Sequence, residues 1–423
     1  MRNFERPLTQ HMKADGETIE FEEYLQLGGY QSLEKFAHLA PASITQLICD
    51  SGLMGRGGAG FSTGFKMKAV PMGDQAPSQK YLICNADEME PGTFKDRWLL
   101  EGNPHQLLEG MMVAAYAIQA SVAYIFIRGE YKLAIRRLEQ AVHHAYQNGL
   151  LGKGLDIFVH PSAGRYICGE ETALINALEG KRAIPRAKPP YPQTIGLWGK
   201  PTLVNNVETL SNFSHIVNRG PEWFQSLSRG IDAGTKIYGV SGKVKNPGAW
   251  ELPMGTTARE LIEVHAGGMQ EGHELVAFLP GGASTDFWLP ERLDTPMDFS
   301  STAQLGTRMG TGTLVVLDNH TCPIGMLLSL EKFFKQESCG WCTPCREGLS
   351  WIAEILSAFE RGEGQESDLA QLKRHARLLG PGSTFCALAP GAASPLNTGL
   401  KIFEPEFHRH LKEKRCPYGH HLH

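Results

Sequence analysis

Apolar runs of strand type alternate with helical periods through the first half of the chain. The amphipathic segment SITQLICDSGL predicts a short helix opened by Pro41 and Ser43, with GRGGAGF directly behind it. YLICNA (81–86) reads as a buried strand, and Asn103 and Pro104 open the next helix. AYIFIRG, a charged helix from about Tyr131 to Gln147, the strand DIFVHPS (156–162) and a helix beginning near Gly169 continue the series. A proline-rich loop, IPRAKPPYPQTIG, precedes a helix expected around VNNVETLSNFSHIV. Strands alternating with helices of this length imply βαβ units and a mainly parallel sheet.

From Lys236 the pattern changes. KIYGVSG, a KNPG turn and AWELPMG predict a hairpin, followed by a helix at TARELIEVHAGG and a strand at LVAFLPGG, with TLVVLD (313–318) beside them. That order suits a small β-grasp-like module. After Cys322 the pattern is helical, with helices expected near 325–337, 347–361, 367–379 and 395–413, the count of a four-helix bundle. The resulting division is an N-terminal arm (1–40), a Rossmann-like α/β domain (41–235), a β-grasp domain (236–324) and a helical bundle (325–423).

Residues 111–127, MMVAAYAIQASVAYIFI, carry no charge. A membrane span needs about 20 apolar residues, and this run is shorter and includes Gln119 and Ser121. Its first half has helical character and its second half strand character, so a buried helix followed by a buried strand is expected. The N-terminus has no apolar stretch of signal-peptide length. A net charge of −4, from 41 basic and 45 acidic residues well interspersed, points away from nucleic acid and anionic membranes as partners.

The nine cysteines change the picture more. A large chain needs no disulfide staples, and clustered cysteines in a reducing compartment suggest a metal centre. ESCGWCTPCREG places Cys339, Cys342 and Cys345 in one tight loop, and Cys386 follows in TFCALAPG. Two successive two-residue gaps with a distant fourth thiolate is an arrangement of a [4Fe-4S] cube. Zinc more often takes paired knuckles. Cys84 on a strand, Cys49 on a helix and Cys168 at a helix start read as packing, while Cys322 and Cys416 show no partners. The tail CPYGHHLH could suggest a metal, but a mobile end is the preferred reading.

GRGGAGF supplies Gly55, Gly57 and Gly60 in G-x-G-x-x-G spacing. A dinucleotide fingerprint of that kind lies between a strand and a helix, and here the loop follows a helix. It is not an ordinary Rossmann turn. Acidic and amide groups gather elsewhere: Asn85, Asp87, Glu88 and Glu90 just past YLICNA, Glu170 and Glu171 in GRYICGEETALINALEG, and Asn205, Asn206 and Thr209 in VNNVET. Ligands bind beyond the carboxyl ends of parallel strands, so these groups suit a nucleotide or flavin pocket, while helix capping and solvation account for each of them singly. Carboxylates beside a ribose would favour NADH over NADPH.

GRGGAGF, CNADEMEPGTFKDR, GRYICGEETALINALEG and ESCGWCTPCREG with Cys386, in this order, resemble the NADH-binding flavoprotein subunit of respiratory complex I. The resemblance extends over nearly the whole chain through KPPYP, LWGKPT, VNNVET and VKNPG. It implies a Rossmann-like flavin domain, a ubiquitin-like domain and a C-terminal helical bundle. By motif position, Gly55, Arg56, Gly57, Gly58, Lys66, Asn85, Asp87, Glu88, Tyr166, Gly169, Glu170, Glu171, Asn205, Asn206 and Thr209 would hold FMN. Gly58, Ala59, Gly60, Phe61, Lys66, Glu90, Glu171 and Tyr191 would meet NADH, and Cys339, Cys342, Cys345 and Cys386 the [4Fe-4S] cluster. Two features depart from the family pattern: Tyr191 stands where phenylalanine is commoner, and MKAV after Lys66 lacks the usual aromatic residues.

The activity implied is hydride transfer from NADH to FMN, then single-electron transfer to the cluster for quinone reduction, with no side chain acting as acid, base or nucleophile. Partners implied are a thioredoxin-like [2Fe-2S] subunit and a large iron-sulfur subunit, in a peripheral arm on the cytoplasmic side of the membrane. Two alternatives stand beside it: the diaphorase subunit of an NAD-linked hydrogenase or formate dehydrogenase, and an electron-relay subunit that has lost its flavin.

Overall fold

The structure, a computed structural model, describes residues 4–419. The described residues form two four-stranded sheets with their helices, and a helical C-terminal region. The first sheet contains β1 (Tyr81–Ala86), β2 (Val122–Ile127), β3 (Asp156–Pro161) and β4 (Thr202–Asn206), all parallel, in the order β3-β2-β1-β4. Because β2 and β4 lie on opposite sides of β1, the order of strands switches direction between β1 and β4. That is the crevice where parallel α/β sheets bind ligands. Asn85 pairs in register with Asn206, and Cys84 with Asn205, so the amides line the carboxyl edge.

The helices explain the sequence pattern. α1 (Phe21–Gln26), α2 (Gln31–Phe36) and α3 (Pro41–Asp50) precede the glycine loop, and α4 (Thr63–Lys68) follows it. The loop therefore lies between two helices, as its position after SITQLICDSGL implied. α5 (Lys95–Gly102) was not foreseen; α6 (Pro104–Ile118) is buried on nearly every face, capped by the Asn103 side chain and ended by Gln119 at φ 58°. The uncharged run at 111–127 is thus a core helix and a core strand, and among the described residues no helix is long and apolar enough to cross a membrane. α7 (Lys132–Gln147) and α8 (Glu171–Leu178) lie at their expected places.

Two expectations in this half fail. The helix around VNNVET begins only at Val207: Asn205 and Asn206 end a strand, and Asn206 caps α9 (Val207–Ser211) by accepting from the Glu208 N–H at 3.1 Å. α10 (Phe213–Arg219) and α11 (Pro221–Ser226) follow. The polar arm expected over 1–40 is anchored instead, because Leu8, Ile19, Phe21, Tyr24 and Tyr30 are buried in the core of this sheet layer. Its apolar positions are too sparse to show a period.

The second sheet holds β5 (Thr235–Ser241), β6 (Gly248–Pro253), β7 (Leu275–Leu279) and β8 (Thr313–Asp318) in the order β6-β5-β8-β7. Its central β5–β8 pair is parallel and the outer pairs antiparallel, a β-grasp arrangement. TARELIEVHAGG is wider than an α-helix, since the Ala266 N–H reaches back five residues to Leu261. α12 (Phe299–Gln304) precedes β8.

The C-terminal region contains α13 (Pro323–Glu337), α14 (Thr343–Glu360), α15 (Glu366–Leu378), α16 (Leu388–Ile402) and α17 (Glu404–Glu413). The single helix expected over 395–413 is two. Phe403 leaves helical geometry and Pro405 restarts the chain in the first turn of α17, where its missing N–H costs nothing.

A buried charge centre joins these parts. Glu208 of α9 accepts from the Lys236 ammonium at 2.8 Å, the Lys95 ammonium at 2.9 Å and the Ile237 N–H at 2.8 Å. All of these side chains are almost fully buried, and so is Arg56 of the glycine loop. Burial pushes the Glu208 carboxyl upward, but Lys236, Lys95 and Arg56 outweigh it and hold it down at about 2. Its stabilisation is therefore present above the ordinary carboxylate range and is lost as pH falls from about 4.3 towards 2. Glu208→Gln takes the carboxylate from the buried Lys236 and Arg56, while Lys95 keeps Asp96 at 2.7 Å. We expect a loss of about 3–5 kcal/mol, read as a lower urea midpoint at pH 7, and a smaller difference from the parent protein as the pH approaches 3.

Candidate functional site

The carboxyl edge of the first sheet gathers most of the residues singled out by sequence. Gly57 sits against Asn206: a Cβ on it would come 3.3 Å from the Asn206 Cβ. The Arg56 N–H donates to Thr209 Oγ1 at 2.8 Å, fixing the loop on α9. Gly58 and Gly60 have φ of 116° and 64°, a region open to glycine at little cost, and a Cβ on Gly60 would lie 2.4 Å from the Phe299 ring. The loop is therefore held between the two sheets, with Thr311 of the second beside Gly58. Nothing in the sequence linked Phe299 or Thr311 to this loop.

Around the loop, Lys66 donates to Glu171 Oε2 at 2.6 Å and to the Val204 carbonyl at 2.7 Å. Lys188, from the proline-rich loop, donates to Glu170 at 2.9 Å and Glu171 at 3.1 Å. Burial acts to raise Glu171, but the two lysines prevail and hold its carboxyl below the usual range. Two lysines balance the two carboxylates, so their charge is already matched within the protein. Glu170 also caps α8, accepting from the Thr172 and Ala173 N–H groups, each at 2.9 Å.

Asn85 Nδ2 donates to the Gly169 carbonyl at 3.0 Å, which ties the end of β1 to the start of α8. Asp87 accepts from Ser162 at 2.7 Å, and burial raises its carboxyl to about 6. Glu88 turns inward. It accepts from the Asp96 and Arg97 N–H groups at 2.9 and 3.0 Å and from Tyr131 at 3.1 Å, so it caps α5. Glu90 accepts from the Tyr166 hydroxyl and the Ser284 N–H, each at 2.7 Å, and so links the first sheet's edge to the second sheet.

The aromatic groups stand apart from this network. Phe61, Phe65 and Tyr191 are each more than half exposed, and Phe61 and Phe65 meet edge to face with centroids 6.1 Å apart. Phe65, on α4 and four residues after Phe61, adds a ring that the motifs do not point to, although its spacing is visible in FSTGF.

The four cysteines of the C-terminal region surround one cavity together with Ile167, Pro185, Trp341, Thr384, Phe385, Leu388 and Ala389. Cys342 Sγ accepts from the Phe385 N–H at 3.3 Å, and Cys345 Sγ lies 3.2 Å from the Ser338 hydroxyl. Arg182 donates to the Cys339 carbonyl at 2.9 Å. Four thiols around one cavity are the donor set that a [4Fe-4S] cluster takes. Cys84 and Cys168 are buried in packing, as expected.

Two features show whether the residues fit a flavin. Asn205 Nδ2 and Asp87 Oδ2 are buried without a hydrogen-bond partner at the carboxyl edge, and a Cβ on Gly169 would meet nothing within 4 Å. Polar atoms with capacity to spare beside open backbone are what a flavin's ring edge and ribityl hydroxyls require. The residues fit.

Fold and site together define a flavoprotein with an iron-sulfur region. Residues 48–215 match the Nuo51 FMN-binding domain, 325–410 the NADH-ubiquinone oxidoreductase-F iron-sulfur binding region and 237–287 the SLBB domain. The chain is 52% identical over 415 residues to the F subunit of the NADH-quinone oxidoreductases of Salmonella typhimurium and Escherichia coli, covering 96% of this chain and 93% of each relative. The corresponding F subunit of Streptomyces coelicolor is 45% identical, over 93% of this chain and 89% of the relative. Among solved structures, an NAD+-reducing [NiFe]-hydrogenase in the H2-reduced state matches with a TM-score of 0.82 and 34% identity, over 95% of this chain and 68% of that one. The chain belongs to the family of NADH-quinone oxidoreductase F subunits, and its cofactors are FMN and a [4Fe-4S] cluster.

Substituting Gly57→Val drives a branched side chain into Asn206. FMN retained after gel filtration, read at 450 nm, should fall at least tenfold, which corresponds to about 1.4 kcal/mol of binding. Iron content should stay unchanged.

Proposed function

We propose that the chain oxidises NADH by hydride transfer to bound FMN and passes the electrons singly to its [4Fe-4S] cluster, as the electron-input subunit of a respiratory complex I. The observation that carries this reading is the segment joining the two sites. Ile167 lines the cysteine cavity, while Gly169 receives Asn85 and Glu171 receives Lys66. Two residues of chain span at most about 7 Å, so the flavin pocket and the cysteine cavity share one wall.

Bound FMN supplies the conversion of a two-electron donor into single electrons, and the cluster supplies the one-electron acceptor. The chain's part is positioning. Residues 55–60 hold phosphate groups with backbone N–H donors, and Lys66 fixes Glu171 beside them. Asn85, Asp87, Asn205, Asn206 and Thr209 set the flavin's orientation, Gly169 and Glu170 line its face, and Tyr166 fixes Glu90 beside it. Glu88 acts indirectly, by holding α5 and the NADE loop. Phe61, Phe65 and Tyr191 offer exposed rings for the NADH adenine, and Glu171 faces its ribose. Cys339, Cys342, Cys345 and Cys386 ligate the cluster.

Trp341 and Phe385 are exposed on the wall of the cysteine cavity, which supports an electron exit there to another iron-sulfur protein. The partners are a thioredoxin-like [2Fe-2S] subunit and a large iron-sulfur subunit, in a peripheral arm on the cytoplasmic face of the membrane. The hydrogenase likeness covers a fold shared with diaphorases, and the near-complete coverage of the NADH-quinone oxidoreductase relatives favours complex I.

Purified chain reconstituted with FMN should reduce ferricyanide with NADH and show a reduced-cluster EPR signal. Cys386→Ser should keep NADH-dependent bleaching at 450 nm and lose that signal. Absence of bleaching in the parent protein, or an unchanged cluster signal in the variant, would overturn the assignment.

A further inference from the structure

Cys322, Glu360, His410 and Cys416 meet in the interior, away from the flavin pocket and the four-cysteine loop. Each is buried, and one donor atom from each lies within 4.8 Å of the others. Cys322 caps α13, its Sγ accepting from the Gly325 N–H at 3.4 Å. Glu360 ends α14, His410 lies on α17 and Cys416 follows in the tail. The sequence showed no partner for either cysteine, because the four positions are spread over almost a hundred residues. The tail read as a mobile end is anchored through Cys416, which is buried; residues 420–423, with the remaining histidines of CPYGHHLH, lie outside the described residues.

Hydrogen bonding among the four groups turns on one proton. His410 Nδ1 lies 2.7 Å from the Glu406 carbonyl, which can only accept, so Nδ1 carries a proton. Nε2 faces Glu360 Oε1 at 3.3 Å, an ion pair if Nε2 is protonated and a pair of lone-pair donors if it is not. Cys322 Sγ is 2.9 Å from the same carboxylate oxygen and 3.4 Å from Nε2. Glu360 Oε2 is buried with no partner at all. Two lone-pair donors facing each other beside two thiols, with the imidazole held from behind by a carbonyl, is the arrangement of a metal site and its outer support.

We infer that these four side chains bind one zinc ion as a closed structural site with an S2NO donor set. Zinc takes thiolate at about 2.3 Å and imidazole or carboxylate at about 2.0–2.2 Å, which sets ligand-to-ligand edges of about 3.3–3.8 Å. Two of the three contacts above already lie in that range, and the third opens by under an ångström. Binding releases the two thiol protons to solvent; the carboxylate and the neutral imidazole release none. Four protein ligands leave no open position for substrate or water, so the role is to join α13, α14, α17 and the tail. α13 has 15 residues and so spans about 22 Å, which puts zinc at the opposite end of the α13–α14 pair from Cys339.

The test uses the full-length chain carrying FMN and iron. Elemental analysis after desalting should give about one zinc per chain beside the cluster iron, and zinc-edge X-ray absorption should show two sulfurs near 2.3 Å with two lighter donors near 2.0 Å. The double variant His410→Ala with Cys416→Ser should lose at least about nine-tenths of the zinc while retaining iron and flavin. Since the parent protein's absorption spectrum decides on its own, a variant that fails to fold does not blunt the test. Zinc absent from protein grown with added zinc, zinc without sulfur neighbours, zinc unchanged in the double variant, or a Cys322–Cys416 disulfide by mass spectrometry would each overturn the inference. Iron and flavin are counted separately, so its failure leaves the flavoprotein reading untouched.

Discussion

Glu208 is the constraint on which the arrangement of this protein rests. Its carboxylate is buried where no charge could stay unmatched, and its partners come from three separate places: Lys95 on α5, Lys236 and the Ile237 N–H on β5, and the field of Arg56 in the glycine loop. A buried ion pair contributes little net stability compared with an apolar contact of the same shape, but it tolerates no substitution of one partner alone. What it supplies is specification. The glycine loop lies beside these contacts, against Asn206 on one side and Phe299 and Thr311 on the other.

The two candidate sites are then consequences of topology. Parallel strands deliver amides and carboxylates to one edge of the first sheet, and the turn into α8 carries backbone from that edge to the cysteine cavity within two residues. The charges at this edge are largely internal. Glu170 and Glu171 are matched by Lys66 and Lys188, and Glu88 is consumed by the N–H groups of α5. What remains for a ligand is a set of amide atoms, backbone donors and exposed rings. Such a surface recognises shape and hydrogen-bonding pattern more than charge.

Much of this was legible in the sequence because the signals were local. The C-x2-C-x2-C spacing, the uncharged run split into helix and strand, and the glycine loop placed after a helix each depend on a few neighbouring residues. The readings that failed depended on distant ones. VNNVET has the composition of a helix start, but Asn205 and Asn206 pair with β1, more than a hundred residues away. The N-terminal forty residues look polar because their few apolar side chains are widely spaced, yet Tyr24 and Ser32 both find Glu109 inside the core. Glu88, expected at the flavin from its motif, also caps α5, a role its own motif does not show. Cys322 and Cys416 read as isolated because Glu360 and His410, each ordinary in its own helix, complete the group only after α14 and α17 pack together.

The wall between the two sites has a temporal side. The turn that carries Gly169 and Glu170 is held by the C-terminal end of α13: Glu337 accepts from the Tyr166 N–H at 2.8 Å, and Arg165 donates to the Gln336 carbonyl at 2.7 Å. Tyr166 and Glu337 are 171 residues apart. At about 5–20 residues per second, synthesis of the intervening chain takes roughly ten to thirty-five seconds. For the part of that interval after Asn206, all four strands of the first sheet have been synthesised while Glu337 has not. The turn between the two sites therefore reaches its final support only once the end of α13, synthesised long after the strands it borders, is in place.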